Sequence, residues 1–276
     1  MGLGRDLLHE IIRLRREKIL GGRPNVIEIG AQQLSNDFLR ADDELKEVFA
    51  LFERPPMPAL AAPVDAGHVA GLELQPKDAP GSQPFWEALG FAYSALDFDG
   101  HRHSYPLDLN RDVVTDELRN RFDLVVNAGT TEHVANQDNA FKVIHDLTRT
   151  GGVMIHDVPA SGMMTHGLIT YTMKFFWHLC RENDYQVLRL EMAPGGAAVL
   201  PDNIVGTNRE FGQRHGSIHF EDEPIRDWTI AATLRKTTGK AFVTPMDLPV
   251  ELMAQRPRPG MVTRGVHRVL SRLRRI

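Results

Sequence analysis

The sequence predicts an α/β fold with a mostly parallel sheet and helices on both faces, on three observations. Short apolar runs such as NVIEIG and FDLVVN alternate with longer stretches whose apolar residues recur at helical spacing. The chain between successive runs is long enough for helical crossovers, which parallel strands require. Small or acidic residues follow several of the runs, at the sheet edge where such folds bind ligands.

Each predicted element has its own signal. Apolar residues form a stripe along residues 4–20 and Gly21-Gly22 ends it, which indicates an N-terminal helix. The strands are predicted as Val26–Ile29, AYSALDF, SYPLDL, FDLVVN, VMIHDV, YQVLRLEM and DWTIAATLRK. The remaining helices are predicted over DDELKEVFALFE, over Pro84–Leu89, from Thr131 to a stop at Gly151-Gly152, and over MKFFWHLCREN.

Composition narrows the class of protein. The chain has 276 residues, of which 42% are hydrophobic and 25% charged, as is usual for globular proteins. Cys180 is the single cysteine, which excludes a disulfide framework and favours a cytoplasmic location. No apolar run reaches the ~18 residues of a membrane span, and the N-terminus has no signal-peptide core. The net charge of −4 argues against a nucleic-acid partner.

Three strand ends carry candidate binding residues. Glu28 and Gly30 close the first strand, although an acid and a glycine there also suit a plain turn. Asp97 ends the second strand, where α/β nucleotide folds hold ribose hydroxyls, or else it only forms a turn before Gly100. Asp108 could meet an adenine amino group, or cap the turn before Arg111.

A fourth strand ends in the segment NAGTTEHV, which starts at Asn127. Its small residues would let ligands approach the sheet edge, and Glu132 and His133 would begin the next helix, with side chains ~100° apart. His133 suits a general base, whereas Glu132 could equally favour the helix dipole. His166, in a Gly- and Met-rich loop, is a second base candidate.

Other histidines and metal sites are less favoured. His156 lies within a strand and is expected to be a buried core residue, and Tyr171 is a weaker candidate for acceptor contact. No cluster of His, Cys, Asp and Glu has metal-ligand spacing, so we expect no metal site.

Five segments together resemble the class I S-adenosylmethionine-dependent methyltransferases: NVIEIGAQ, YSALDFDG, FDLVVNAGTTEHV, LTRTGGVMIHDVP and WTIAATLRK. The resemblance implies a Rossmann-like, seven-stranded sheet whose last strand is antiparallel, with S-adenosylmethionine as cofactor. It also implies that Glu28 and Gly30 meet the methionine end of the cofactor, that Asp97 meets its ribose, and that Asn127 lies beneath the sulfonium. The segment HGLITYTMKFFWHLCRENDYQV further resembles bacterial members associated with surface polysaccharide pathways.

The sequence departs from that family in two ways. The glycine-rich first motif is reduced to Gly30, and Asp97 follows Glu28 at far more than the usual interval of about 20 residues. We therefore interpret the Pro-rich residues 36–84 as an insertion in a single domain spanning 1–276. It would be a lid or partner surface, or a disordered surface loop.

The C-terminal tail, residues 256–276, is rich in arginine, and no acidic residue follows Glu251. Its apolar residues recur at near-helical spacing. That pattern fits a basic helix on an anionic membrane surface, a helix docked on the protein's own acidic surface, or a frayed terminus.

The sequence therefore predicts a cytoplasmic methyltransferase acting on oxygen or nitrogen of a small-molecule or carbohydrate-like acceptor. Two alternatives stay open: an inactive binding module that keeps the fold, and a nicotinamide-dependent dehydrogenase. The missing phosphate-binding glycines argue against the dehydrogenase.

Overall fold

A computed structural model describes residues 2–55, 68–69, 72–73, 79–98, 100, 104–161, 166–193 and 228–247. The strands are β1 (Asn25–Ile29), β2 (His68–Val69), β3 (Leu72–Glu73), β4 (Ala92–Asp97), β5 (Tyr105–Pro106), β6 (Phe122–Ala128), β7 (Thr148–Ser161), β8 (Tyr185–Ala193) and β9 (Trp228–Lys236). The helices are α1 (Arg5–Arg16), α2 (Asn36–Leu39), α3 (Asp42–Leu51), α4 (Gln83–Ala88), α5 (Gln137–Leu147) and α6 (Met173–Asn183). The predicted tail 256–276 lies outside the described residues.

Seven strands form one sheet in the order β5-β4-β1-β6-β7-β9-β8. Neighbours are parallel from β5 to β7, whereas β9 is antiparallel to both β7 and β8. The predicted Rossmann-like, mostly parallel sheet with an antiparallel last strand is therefore confirmed. The strand order reverses between β1 and β6, and ligands of open α/β sheets bind at such a reversal.

Side-chain alternation along the central strands produces two cores, one on each face of the sheet. In β6, Val125 packs with α5 and α6, whereas Leu124 and Val126 pack with α1, α3 and α4. Successive residues of a strand point to opposite faces, so a run of apolar residues is buried on both sides. The predicted helices on both faces are confirmed.

The helix predicted from Thr131 begins later than expected. Thr131–His133 form a short 3-10 turn, and α5 starts at Gln137, where the side chain of Asn136 accepts a hydrogen bond from the Asn139 amide. The predicted glycine stop is also wrong, because the chain enters β7 at Thr148 and the two glycines lie within that strand. Glu132 and His133 are consequently on a turn rather than a helix.

Both ends of the predicted insertion pack into the protein. Phe38 of α2 meets Phe85 of α4 edge to face, with ring centroids 4.9 Å apart. Gln33 and Gly81 form an antiparallel bridge. The Leu34 amide donates to the Pro80 carbonyl at 2.9 Å. The middle of the insertion, apart from β2 and β3, lies outside the described residues, so its role as a lid or partner surface stays a prediction.

Among the helices that the structure describes, none is long and apolar enough to cross a membrane.

Candidate functional site

A cavity of about 590 Å³ opens at the carboxyl ends of β1, β4 and β6, at the point where the strand order reverses. Its walls come from the turns after those strands and from the segment after β5. The volume lies within the range of about 300–1,000 Å³ that is usual for small-molecule sites. Of the predicted site residues, Gly30, Asp97, Asp108 and His133 line it.

The turn after β1 approaches the turn after β6 too closely for any residue but glycine. Gly30 has φ +79°, and a Cβ at this position would lie 2.6 Å from Oγ1 of Thr130. The Thr130 hydroxyl donates to the Ile29 carbonyl at 2.5 Å, and the Gln32 side chain donates to Thr130 Oγ1 at 3.1 Å. Gly30 therefore lets the turn after β1 pack closely against the turn after β6 at the cavity wall.

Glu28, which the resemblance assigns to the methionine end of the cofactor, is not among the described residues that line the cavity. It is fully buried, and its carboxylate accepts four hydrogen bonds, each at 2.7–2.9 Å. The donors are the Gln32 amide, the Ser82 hydroxyl, the Trp86 indole and the Tyr93 hydroxyl. Burial raises the pKa of the Glu28 carboxyl, and the four donors oppose that rise. Side chains alternate along β1, so that of Glu28 points to the sheet face covered by α1, α3 and α4. From there it holds the turn after β1 through the Gln32 amide.

Two aspartates face the cavity. Asp97 accepts hydrogen bonds from the Ala31 amide at 3.1 Å and the Phe98 amide at 2.8 Å, so it ties the end of β4 to the turn after β1. Asp108 accepts from the Asn110 amide at 2.9 Å and pairs with Arg111 at 2.7 Å. The Asn110 amide and the Arg111 charge lower the pKa of Asp108. Asp108 therefore both caps its own turn and lines the cavity.

Asn127 ends β6 beneath the cavity rather than in its wall. Its side chain is buried and donates to Thr131 Oγ1 at 2.9 Å, and its Nδ2 lies 3.1 Å from Nδ1 of His156. His156 is 1% exposed, as expected for a core histidine, and burial lowers its pKa to about 3. Asn127 therefore holds the turn at Thr131 in place.

The Thr131–His133 turn brings together the three side chains predicted as catalytic. Oε1 of Glu132 lies 3.3 Å from Nε2 of His166 and 3.9 Å from Nε2 of His133. The Glu132 side chain is fully buried, whereas His133 is half exposed and borders the cavity. Burial raises the pKa of Glu132 and lowers that of His133. Glu132 and His133 lie on a 3-10 turn instead of the α-helix expected from sequence, and their side chains approach to 3.9 Å.

The loop that carries His166 is held against Glu132 by backbone contacts. The amides of Leu168 and Ile169 both donate to the Glu132 carbonyl, at 2.8 and 3.1 Å. A Cβ on Gly167 would lie 2.8 Å from Cγ of Glu132. Tyr171 is buried beside this loop and donates its hydroxyl to Thr131 or Gln137 rather than reaching the cavity.

Sequence reasoning missed residues that follow the predicted ones directly. Phe98, next to Asp97, is 76% exposed at the cavity, and Val134, next to His133, also lines it. The position of Phe98, immediately after a strand end, could have identified it. Ser82 and Trp86 had no such signal, because they reach Glu28 only through the tertiary fold.

Neither a protein-family model nor a curated protein sequence matches this chain. Solved structures do match its fold. A Burkholderia thailandensis 1,6-didemethyltoxoflavin-N1-methyltransferase with bound S-adenosylhomocysteine is 14% identical with TM-score 0.41, covering 84% of this chain and 78% of that one. An O-methyltransferase from a trans-AT PKS multienzyme of Brevibacillus brevis, with S-adenosylhomocysteine, is 10% identical with TM-score 0.40, covering 83% and 71%.

A third match is Haemonchus contortus phosphoethanolamine N-methyltransferase 2 with S-adenosylmethionine, which is 10% identical with TM-score 0.40 and covers 84% of this chain and 53% of that one. Likeness at this level concerns the fold alone. Ligand and reaction therefore have to be argued from the residues of this chain.

Proposed function

We propose that this chain is an S-adenosylmethionine-dependent methyltransferase that acts on oxygen or nitrogen of a small-molecule acceptor. The observation that carries the proposal is the cavity where the strand order reverses, with the tight Gly30 turn in one wall and Asp97 beside it. That combination suits an uncharged ribose and an amino acid moiety lying over tightly turned backbone.

The charge of the cavity supports a cationic ligand. Asp97 and Asp108 line it, and no lysine or arginine stands among the described residues of its wall. S-adenosylmethionine carries a positive sulfonium, whereas a nicotinamide dinucleotide carries an anionic pyrophosphate that needs glycines and a helix N-terminus. The same wall therefore disfavours the dehydrogenase alternative.

Different residues of the site would contact the ribose, adenine and methionine groups of the cofactor. Asp97 would accept from ribose hydroxyls, and Asp108, between Leu107 and Leu109, would accept from the adenine amino group. The backbone after Gly30 would meet the methionine end, with Glu28 holding that backbone in place. Asn127 would not touch the cofactor, but its hydrogen bond to Thr131 would hold the turn after β6 in place.

The bound cofactor supplies an activated methyl group, and the chain supplies acceptor orientation and a destination for the proton. His133 borders the cavity and can take that proton, with Glu132 and His166 packed behind it as positioning groups. Proton transfer to a positioned base contributes about 10²–10⁴ in rate. A carbohydrate-like acceptor, a role in surface polysaccharide pathways and a cytoplasmic location are parts of the same proposal.

Calorimetry with S-adenosylmethionine, S-adenosylhomocysteine and NAD⁺ tests the ligand. We expect the two adenosyl ligands to bind and NAD⁺ not to bind, and the reverse result would overturn the proposal. Mass spectrometry of any adenosyl compound that co-purifies gives an independent reading.

A second experiment tests the alternative that the chain is an inactive binding module. S-adenosylhomocysteine release is measured with a panel of hydroxyl and amine acceptors, comparing the wild type with Asp97→Ala as the cofactor-site control. Release that depends on acceptor and on Asp97 supports methyl transfer. Tight cofactor binding with no release across the panel favours the binding module.

A further inference from the structure

We propose that Glu132, His133 and His166 bind a first-row divalent transition-metal ion beside the cavity, which His133 borders. The site as such is independent of the proposed function, and only its role in the reaction rests on that function. The expectation of no metal site came from spacing along the chain, which cannot show that His166 meets the Thr131–His133 turn in space.

The three donor atoms lie close enough to share one ion. One ligand atom from each residue lies within 4.8 Å of the others, and the Glu132 to His166 separation is 3.3 Å. Ligands at the usual Zn–N and Zn–O lengths of a tetrahedral site are about 3.4 Å apart. His133 offers the third donor, with its Nε2 3.9 Å from Oε1 of Glu132.

The carboxylate of Glu132 gives an independent reason to place a cation here. Its side chain is 0% exposed, and neither carboxylate oxygen accepts a hydrogen bond from the described residues. Buried carboxylates are normally hydrogen bonded, paired or bound to metal. An ion between Glu132 and the two imidazoles would satisfy this group.

The fold holds the ligands in place before any ion binds. Glu132 and His133 stand on one short turn, which Asn127 and Tyr171 both secure through Thr131. His166 is brought to Glu132 by two amide hydrogen bonds to the Glu132 carbonyl and by the close approach of Gly167. Preorganised donors lose little freedom on binding, which favours affinity.

The donor set points to the kind of ion. Two imidazoles and one carboxylate suit zinc, iron(II), manganese or cobalt, whereas magnesium and calcium prefer oxygen ligands. Three protein ligands leave coordination positions free, as in catalytic rather than structural sites. If the proposed function holds, an acceptor hydroxyl bound to the ion would release its proton to solvent more readily, and His133 would then act as a ligand rather than as the base.

Cobalt titration of metal-free, untagged protein tests the site without cofactor or acceptor. We expect an equimolar complex whose visible absorption indicates mixed nitrogen and oxygen coordination. Glu132→Gln and His166→Asn should each weaken Co²⁺ binding beyond the ~10–100-fold that loss of an outer-shell partner costs. His9→Asn is the matched control, because His9 also stands 3.1 Å from a carboxylate, that of Glu44, but on the exposed surface.

Two outcomes would overturn the inference: no Co²⁺ complex in the wild type, or a complex that both cluster variants retain. Thermal melting separates folding from binding. Metal-free Glu132→Gln should melt no lower than the wild type, because it removes a buried charge, but should lose the stabilisation that Co²⁺ gives the wild type.

Failure of the metal site is distinguishable from failure of the proposed function. Asp97→Ala should bind Co²⁺ as the wild type does while losing S-adenosylhomocysteine affinity. Glu132→Gln should show the opposite pattern. Absence of adenosyl-ligand binding in a wild type that binds Co²⁺ would refute the methyltransferase proposal and leave the metal site standing.

Discussion

Replacement of Asp97 should weaken cofactor binding by a predictable amount. Its carboxylate borders the cavity and is the charged acceptor assigned to the ribose. A hydrogen bond to a charged group contributes about 1.5–3 kcal/mol. At 1.4 kcal/mol per tenfold change, Asp97→Asn should raise the dissociation constant of S-adenosylhomocysteine about 10- to 150-fold.

Asp97→Ala should have the larger effect, because the carboxylate also accepts from the Ala31 and Phe98 amides. Without these bonds the turn after β1 loses its link to β4. The amide of Asp97→Asn retains an oxygen that can accept from the backbone, so the two variants separate charge from turn geometry.

Titration calorimetry gives both dissociation constants, and thermal melting confirms that the variants remain folded. Asp116→Ala is the control, since Asp116 is exposed and outside the cavity wall. Equal affinity in the wild type, Asp97→Asn and Asp97→Ala would remove Asp97 from the site and refute the assignment of the cavity.

Three further perturbations follow from the same structure. Gly30→Ala should abolish measurable S-adenosylhomocysteine binding in calorimetry, because its Cβ would lie 2.6 Å from Thr130, whereas Gly21→Ala, with nothing within 4 Å, should bind normally. Glu28→Ala should lower the free energy of unfolding in urea by at least about 3 kcal/mol, since four donors, three of them in buried hydrogen bonds, lose their acceptor. A fall below 1 kcal/mol would show that these donors find other partners.

His156→Leu should flatten the pH dependence of stability. The folded pKa of His156 is about 3, below the ordinary value of 6.5, so the unfolded chain takes up the proton first and stability falls as pH drops below 6.5. Between pH 7 and pH 5 the wild type should lose about 2 kcal/mol more than the variant in urea unfolding. Parallel pH profiles would contradict a neutral buried imidazole.

Three of the predicted residues that line the cavity share one physical origin. Gly30, Asp97 and Asp108 follow parallel strands, and the carboxyl ends of such strands meet at one sheet edge. Apolar periodicity identified the strands, so the position of these residues followed. The direction of a side chain did not follow, and Glu28 therefore lies under the turn instead of in the cavity.

The turn around Glu132 could not be predicted from apolar spacing, because Val134 and Phe141 fit a continuous helix equally well. Asn136 held a usable signal, since it caps α5 and marks the true helix start. The meeting of Glu132 with His166 depends on backbone hydrogen bonds between distant segments. No local pattern encodes such a contact.

The bridge between Gln33 and Gly81 has a consequence for how this protein can change over evolutionary time. Two distant points of the chain are tied at the base of the Gly30 turn, and α2, α3 and α4 anchor the adjoining segments in the core. Because the bridge holds residues 33 and 81 together, an insertion or deletion between them can leave the turn beneath Gly30 unchanged.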